Sequence, residues 1–480
     1  MIDSTRMTED LKAQIVRLAR DYSAQAHRGN LPAWDPAHAP FEEGVTTVPY
    51  AGRVFDADEV AAAIASTLDF WLTLGPEGDG FELELAKTLK VKRSILVNSG
   101  SSANLVAFSA LTSPKLGERA IRPGDEVITC AAGFPTTVAP IIQNGAVPVF
   151  LDNNPLTLNA DLTRLEEAFL PGKTKAVMMA HTLGNPFDLE TILGFCRRHG
   201  LWLIEDNCDS LGSTYAFSGT EQFTGTFGDL STQSFYPPHH LTLGEGGAVN
   251  VVRDMKLKVL VESFRDWGRD CWCASGKDNT CGKRFGWQLG ELPEGYDHKY
   301  IYSHLGYNLK PLDIQAAIGR QQLKKLERFG AARRANWEYL RKGLAHLEEF
   351  FEFHLPTHAK GWTPEGFVWE SDEAARCSPS WFGFMLLVRP GGPFTRTELA
   401  RHLDERKIGN RMLFGGNLLR QPVLVQLKKD RPEAIRVLGE NPGADRIMNE
   451  SIFVGVYPGL TKPMLDYMVE TISGFAGKGR

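Results

Sequence analysis

From Ser94 to Ile204 short apolar runs alternate with helical patterns, and this alternation limits the available folds more than any other feature of the chain. The strand candidates are Glu126–Cys130, Val147–Leu151, Ala176–Ala180 and Leu201–Ile204, separated by helix signals at Thr136–Gln143, Asp161–Leu170 and Leu189–His199. Strands joined through helix-length connections pair in parallel and need helices on both faces, so an α/β fold is expected. In an open sheet of that kind, ligands collect at the carboxyl ends of the strands. The first strand, Ser94–Val97, runs through the small-residue turn Asn98–Asn104 into a helix, whose N-terminal N–H groups favour an anion. Such turns are also common without any ligand. Ala131–Thr137 and His181–Pro186 follow strands at the same edge.

At 480 residues the chain exceeds a usual single domain. The expected division is an N-terminal helix and arm (1–57), a large domain (58–330) with a cysteine-rich insertion near 268–299, and a linking helix with a small C-terminal α/β domain (331–480). Within it, helices are expected at Asp58–Leu72, Arg253–Trp267, Asp313 to about Leu344, Arg396–Arg406 and Lys462–Phe475. A strand is expected at Phe382–Val388, and Phe217–Gly228 reads as a surface loop. A net charge of -5 gives no sign of a nucleic-acid or membrane surface. No run of about 18 apolar residues and no apolar export segment is seen, so seven cysteines point to a reducing cytoplasm.

The chemistry concentrates in Thr232–Gly247, which contains Ser234-Phe235-Tyr236-Pro237-Pro238-His239-His240 and ends in Gly244-Glu245-Gly246-Gly247. This stretch resembles the lysine-anchor loop of the DegT/DnrJ/EryC1/StrS sugar aminotransferases, in which the lysine holds pyridoxal phosphate (PLP) covalently. In register with Ser234 and the Gly-Glu-Gly-Gly run, the place of the lysine falls on His239, and no lysine occurs from Asn207 to Met255. An imidazole cannot anchor an aldehyde, so the cofactor is expected as non-covalent pyridoxamine phosphate (PMP), with His239 free to move protons. His240 is the competing choice for that role. The resemblance covers roughly Asn98–Gly319 and implies a fold type I PLP-dependent transferase, with a mostly parallel large-domain sheet and a small C-terminal α/β domain. By matching positions it implies that Gly100, Ser101 and Ser234 bind phosphate, that Phe134 stacks on the ring, and that Asp206 pairs with the pyridine nitrogen. Asn308, in Gly306-Tyr307-Asn308, matches a residue that reaches the phosphate of a neighbouring subunit, which implies a homodimer. Asp209 and Tyr236 depart from the family pattern.

The missing lysine and four cysteines resemble one branch of the family, the nucleotide-4-keto-6-deoxyhexose 3-dehydratases that use PMP and a [2Fe–2S] cluster. Cys208, Cys271, Cys273 and Cys281 are spaced C-x62-C-x-C-x7-C; the last two intervals match that branch and the first is longer. Four thiolates suit either a [2Fe–2S] cluster or zinc. The closeness of Cys208 to Asp206 favours the redox centre. Cys130, Cys196 and Cys377 read as ordinary thiols. What the branch implies is removal of the C3 hydroxyl from a CDP- or dTDP-linked 4-keto-6-deoxy sugar, with electrons from an NAD(P)H-dependent reductase or ferredoxin. His181 at a strand end, and Arg411, Asn417 and Arg420 in the C-terminal part, are candidate substrate contacts, against readings as a structural histidine and surface charges. The competing functions are a cluster-free, glutamate-dependent 3-dehydratase, a conventional aminotransferase and a non-catalytic binding protein.

Overall fold

The computed structural model describes residues 4–273, 278–371 and 375–477. Its main sheet is built from β1 (Arg93–Val97), β2 (Glu126–Cys130), β3 (Val147–Leu151), β4 (Thr174–Ala180), β5 (Trp202–Asp206), β6 (Leu230–Ser234) and β7 (Gly247–Val251). They lie in the order β1-β7-β6-β5-β4-β2-β3, and the short segment Arg436–Val437 extends the sheet beyond β3. The pairs from β3 through β6 are parallel, whereas β7 runs antiparallel to both β6 and β1. Both faces are covered: Ile95, Val127, Met178 and Ile204 pack on one side, and Ile128, Val149, Val177 and Leu203 on the other. The near-continuous apolar strands in the sequence are therefore those of a sheet buried twice. A second sheet has four antiparallel strands in the order Phe351–Phe353, Gly383–Val388, Ser451–Gly455, Asn410–Arg411.

Most expected elements appear within a few residues of their expected ends, and four differences have local causes. The helix expected over Asp161–Leu170 is reduced to a 3-10 turn, Leu162–Arg164, and one α turn, Leu165–Ala168. Pro171 drives the residue before it out of helical geometry, and Phe169 is already extended. Instead of a surface loop, Thr214–Phe217 and Thr220–Phe223 form a hairpin whose two turn residues, Ser218 and Gly219, both have positive φ. The long helix from Asp313 is two helices, Asp313–Leu323 and Leu326–Gly343. The break coincides with a change of partner: Gln322 and Lys325 are drawn to Glu59 near the N-terminus, whereas Trp337 and Leu340 pack with the core of the second sheet. Lastly, Pro76–Leu89 is a helix that its two glycines conceal in the sequence. The Asp313 carboxylate caps its start from a distance, accepting from the backbone N–H groups of Gly75, Glu77 and Gly78.

Among the described residues of 268–299 the only regular element is a 3-10 turn beginning at His298. They remain attached to the body by isolated bridges, Asp266 to Asn308 and Arg269 to Tyr302. Among the described residues no helix is long and apolar enough to cross a membrane.

Candidate active site

At the carboxyl edge of the sheet, β1, β5 and β6 and the helix Pro135–Gln143 surround a cavity of about 510 Å³, within the range of small-molecule and cofactor sites. Gly100, Ser101, Phe134, Asp206, Cys208, Ser234, His239 and Arg411 all line it. Ser99 caps the helix Gly100–Leu111 by accepting from the Ser102 N–H, so the remaining N-terminal donors face the cavity. Glycine is needed at position 100 because a Cβ there would meet the Ser234 Cβ at 2.4 Å and the Cys208 Sγ at 3.1 Å. This close approach places Ser234 beside the helix N-terminus, a cradle for an anionic group. Phe134, half exposed, stands edge-on to Phe414 at the mouth.

Asp206 ends β5 and is 4 % exposed. One carboxylate oxygen accepts from Asn104 Nδ2 at 2.8 Å and Thr137 Oγ1 at 2.7 Å, and the other from the Cys208 N–H at 3.2 Å. Among the described residues no lysine or arginine pairs with it. A carboxylate fixed by neutral donors and lacking a cation is a suitable partner for a protonated ring nitrogen. No lysine lines the cavity among the described residues.

His239 occupies the position inferred for the lost lysine. Its Nδ1 is buried without a hydrogen bond and lies 3.6 Å from Asp209 Oδ1. Burial, and next the nearby Arg333 guanidinium, lower its pKa to about 4. An isolated histidine titrates near neutrality, whereas His239 is a free base at neutral pH. Asp209 moves the other way, to about 8, through burial and the charge of Asp206. Arg333, almost fully buried, fixes the loop by donating to the backbone carbonyls of His239 and Trp381. His240 is turned away and donates from Nε2 to the Ser380 carbonyl at 2.6 Å.

Three expected substrate contacts lie elsewhere. His181 is fully buried, donates from Nε2 to Glu205 at 3.1 Å, accepts from the Phe187 N–H and stacks on the Phe187 ring, so it is a structural histidine. Asn417 caps a short 3-10 turn and, with Arg420, binds Asp445. Neither reaches the cavity, whereas Arg411 lines it with its guanidinium 4.2 Å from the Tyr50 ring centroid. Asn308 is exposed and outside the cavity of its own chain, where its side-chain oxygen accepts from Lys310.

The four cysteines are divided. Cys271, Cys273 and Cys281 line one small cavity with His298, whose Nδ1 is 3.9 Å from the Cys281 sulfur and whose Nε2 is bound to Asp270. Burial raises the Cys273 thiol, but hydrogen bonds involving Thr280 and Cys271 bring it down to about 7. Cys208 is not with them. Among the described residues no three His, Cys, Asp or Glu side chains are placed to hold a metal ion, so one chain by itself does not fit a four-thiolate cluster. Cys130, Cys196 and Cys377 are buried.

Sequence reasoning missed Asn104, Thr137 and Arg333. Asn104 carried a usable signal, since it lies four residues after Gly100 and so on the same helix face. Arg333 is 94 residues from His239 and carried none.

The sheet order, the cavity at its carboxyl edge and the unpaired Asp206 define a PLP-dependent aminotransferase-type fold. The chain belongs to the DegT/DnrJ/EryC1/StrS aminotransferase family, which it matches over residues 54–473. It is 49 % identical over 468 residues to the lipopolysaccharide biosynthesis protein RfbH of Salmonella typhimurium, covering 98 % of each chain. It is 46 % identical over 475 residues to the dTDP-4-dehydro-2,6-dideoxy-D-glucose 3-dehydratase of Saccharopolyspora spinosa, covering 99 % of this chain and 94 % of the relative. Among solved structures it resembles E. coli GDP-4-keto-6-deoxy-D-mannose-3-dehydratase with bound hydrated PLP, with a TM-score of 0.73 and 28 % identity, covering 88 % of this chain and 99 % of that one.

Burial also predicts acid sensitivity. His239 and His304 are lowered to about 4, His354 to about 3, and His240 well below its ordinary value, in each case chiefly by burial. The unfolded chain takes up these protons near pH 6.5, whereas the folded chain does so only nearer 4 or below. Between those limits the histidines bind more protons in the unfolded state and their contribution to stability falls as pH falls, while Asp209 and Glu82, raised by burial to about 8 and about 7, oppose them near neutrality. The midpoint of thermal unfolding should therefore change little near pH 7 and decline between about pH 6 and pH 5; a midpoint that rises as pH falls over that lower range contradicts the buried-neutral assignment.

Proposed function

We propose that the protein removes the C3 hydroxyl of a nucleotide-linked (CDP or dTDP) 4-keto-6-deoxy sugar, using non-covalent PMP. The observation carrying this reading is a histidine in place of the anchoring lysine within an otherwise intact cofactor cradle. The 3-dehydratase names of relatives at 46 % and 30 % identity support it.

When bound, PMP supplies an amine for the C4 ketone and a protonated ring that accepts electron density. Ser234, Ser101 and the N-terminus of Gly100–Leu111 hold its phosphate, and Phe134 covers the ring. Asp206 keeps the ring nitrogen protonated, fixed in that task by Asn104 and Thr137. His239 removes a proton at the C4′ carbon of the cofactor, and its free-base form suits that role. Asp209 lies close enough to receive a hydrogen bond from the resulting imidazolium after a small shift. Arg411 is the cavity's cation for the nucleotide phosphates. Net conversion to the 3-deoxy ketone consumes two electrons and two protons and releases one water, so a reductant is required. In this reading it is an NAD(P)H-dependent reductase or ferredoxin, the enzyme is a cytoplasmic homodimer sharing Asn308 between sites, and residues 58–330 and 331–480 act as large and small domains. The separation of Cys208 from the other three cysteines favours a second reading, in which glutamate rather than a cluster restores PMP.

The test is to incubate PMP-loaded protein with CDP- or dTDP-linked 4-keto-6-deoxyglucose and either a reducing system or glutamate, then weigh the product. A sugar one oxygen lighter, formed only with reductant, is expected. Formation with glutamate alone selects the second reading, and an amino sugar that keeps all its other hydroxyls overturns both.

A further inference from the structure

The N-terminal arm reaches the active-site cavity, although it precedes residues 54–473, the part of the chain that matches the family. Val48 forms a parallel bridge to Ile408 beside the edge strand Asn410–Arg411 of the second sheet, donating to the Lys407 carbonyl and accepting from the Gly409 N–H. Its side chain is buried in the core of that sheet. Two residues further on, the backbone of Tyr50 crosses the sheet at close range. A Cβ on Gly409 would meet the Tyr50 nitrogen at 2.7 Å, and a Cβ on Gly455 would meet the Tyr50 carbonyl oxygen at 2.5 Å. The two glycines let the arm lie at this depth, and the arm in turn places Tyr50 in the cavity wall.

Tyr50 meets Arg411 there. Its ring stands edge-on to Phe453 at 6.0 Å, and the Arg411 guanidinium carbon lies 4.2 Å from the ring centroid, inside the roughly 6 Å range of a cation–π contact. Arg411 is exposed, and among the described residues no carboxylate pairs with it; its Nη1 donates to the Asn410 carbonyl at 2.6 Å. An exposed arginine loses much rotamer freedom when it grips a ligand, and a contact that already orders the side chain removes part of that cost.

We propose that Tyr50 is a positioning residue for the nucleotide of the substrate: its ring holds the Arg411 guanidinium in the cavity wall, ready for the diphosphate of the nucleotide sugar. The guanidinium N–H groups that are still free form a planar fork, which suits phosphate oxygens. The ring is not needed to seat the arm, because Val48 and the two glycines already do so. The inference deepens the proposed function and rests on it for the nucleotide-linked substrate.

Calorimetric titration of PMP-loaded protein with CDP and with dTDP tests it. Tyr50→Leu should weaken binding of whichever nucleotide the wild type takes by about 5- to 30-fold, the range of a guanidinium–ring contact shielded from solvent. Tyr50→Phe keeps the ring face and should bind like wild type. In an Arg411→Gln background, itself weaker, Tyr50→Leu should add little, because the group it positions is gone. With the sugar substrate the Tyr50→Leu loss should fall on KM and not on kcat, and affinity for PMP, read from its absorbance, should be kept. The inference is overturned if Tyr50→Leu binds as tightly as wild type, if Tyr50→Phe is as weak as Tyr50→Leu, or if Tyr50→Leu costs as much in the Arg411→Gln background as in the wild type. Those three outcomes leave the nucleotide-sugar reading standing, whereas a wild-type protein that binds neither nucleotide overturns both.

Discussion

With His239 replaced by Asn, hydrogen exchange at C4′ of bound PMP should fall by about 100-fold or more, while cofactor affinity stays close to that of wild type. The lower bound is the usual contribution of a positioned general base. Affinity is expected to survive because the groups assigned to holding the cofactor, Asp206, Ser234, Phe134 and the start of Gly100–Leu111, all lie on other parts of the cavity wall. The substitution also preserves polarity and most of the volume, and Arg333 grips the backbone carbonyl of residue 239 rather than its side chain. In the wild-type protein the base form predominates above pH 4, so exchange should persist well below the ordinary histidine range, to the limit set by acid unfolding. Deuterium incorporation followed by mass spectrometry of extracted PMP gives the rate, and a titration of PMP absorbance gives affinity. Exchange at the wild-type rate in His239→Asn would transfer the role to another group, with Asp209 the nearest.

The parts of this site legible in the sequence are those set by local chain geometry. Gly100, Asp206 and Ser234 each stand at the end of a strand or the start of a helix, and the alternation of apolar runs places those ends on one edge. His239 was legible because the Gly-Glu-Gly-Gly run fixes the register of its loop. The failures have the opposite character. His181 also follows a strand in the sheet, but whether a side chain there faces the cavity or the core depends on Phe187 and Glu205, which the sequence does not position relative to it. Asn417 and Arg420 are claimed by Asp445, a partner 25 and more residues away. The break after Leu323 was hidden for the same reason: each half keeps good helical periodicity, and only the different surfaces they cover require two axes.

The neighbours Glu205 and Asp206 supply the sharpest separation of structural from chemical roles, because successive residues of a strand face opposite sides of the sheet. Glu205 is fully buried and accepts from the backbone N–H groups of Gly225, Phe227 and Gly228 at 2.8, 2.8 and 2.6 Å, besides His181. It thereby fixes the turn that leads into β6 and hence into Ser234 and His239. Glu205→Ala leaves these four donors without their acceptor, and a buried unsatisfied group costs about 1–3 kcal/mol, so a loss on the order of 4 kcal/mol or more is expected. Asp206→Asn keeps one oxygen for Asn104 and Thr137 and loses the acceptor of the Cys208 N–H, so it should cost less than Glu205→Ala, about 1–3 kcal/mol. It removes the charge assigned to the ring nitrogen, however, and should lower C4′ exchange by orders of magnitude. Denaturant unfolding and the exchange assay on both variants give the comparison. A Glu205→Ala protein as stable as wild type would refute the keystone role, and an Asp206→Asn protein with unchanged exchange would remove the ring-nitrogen partner from the proposed mechanism.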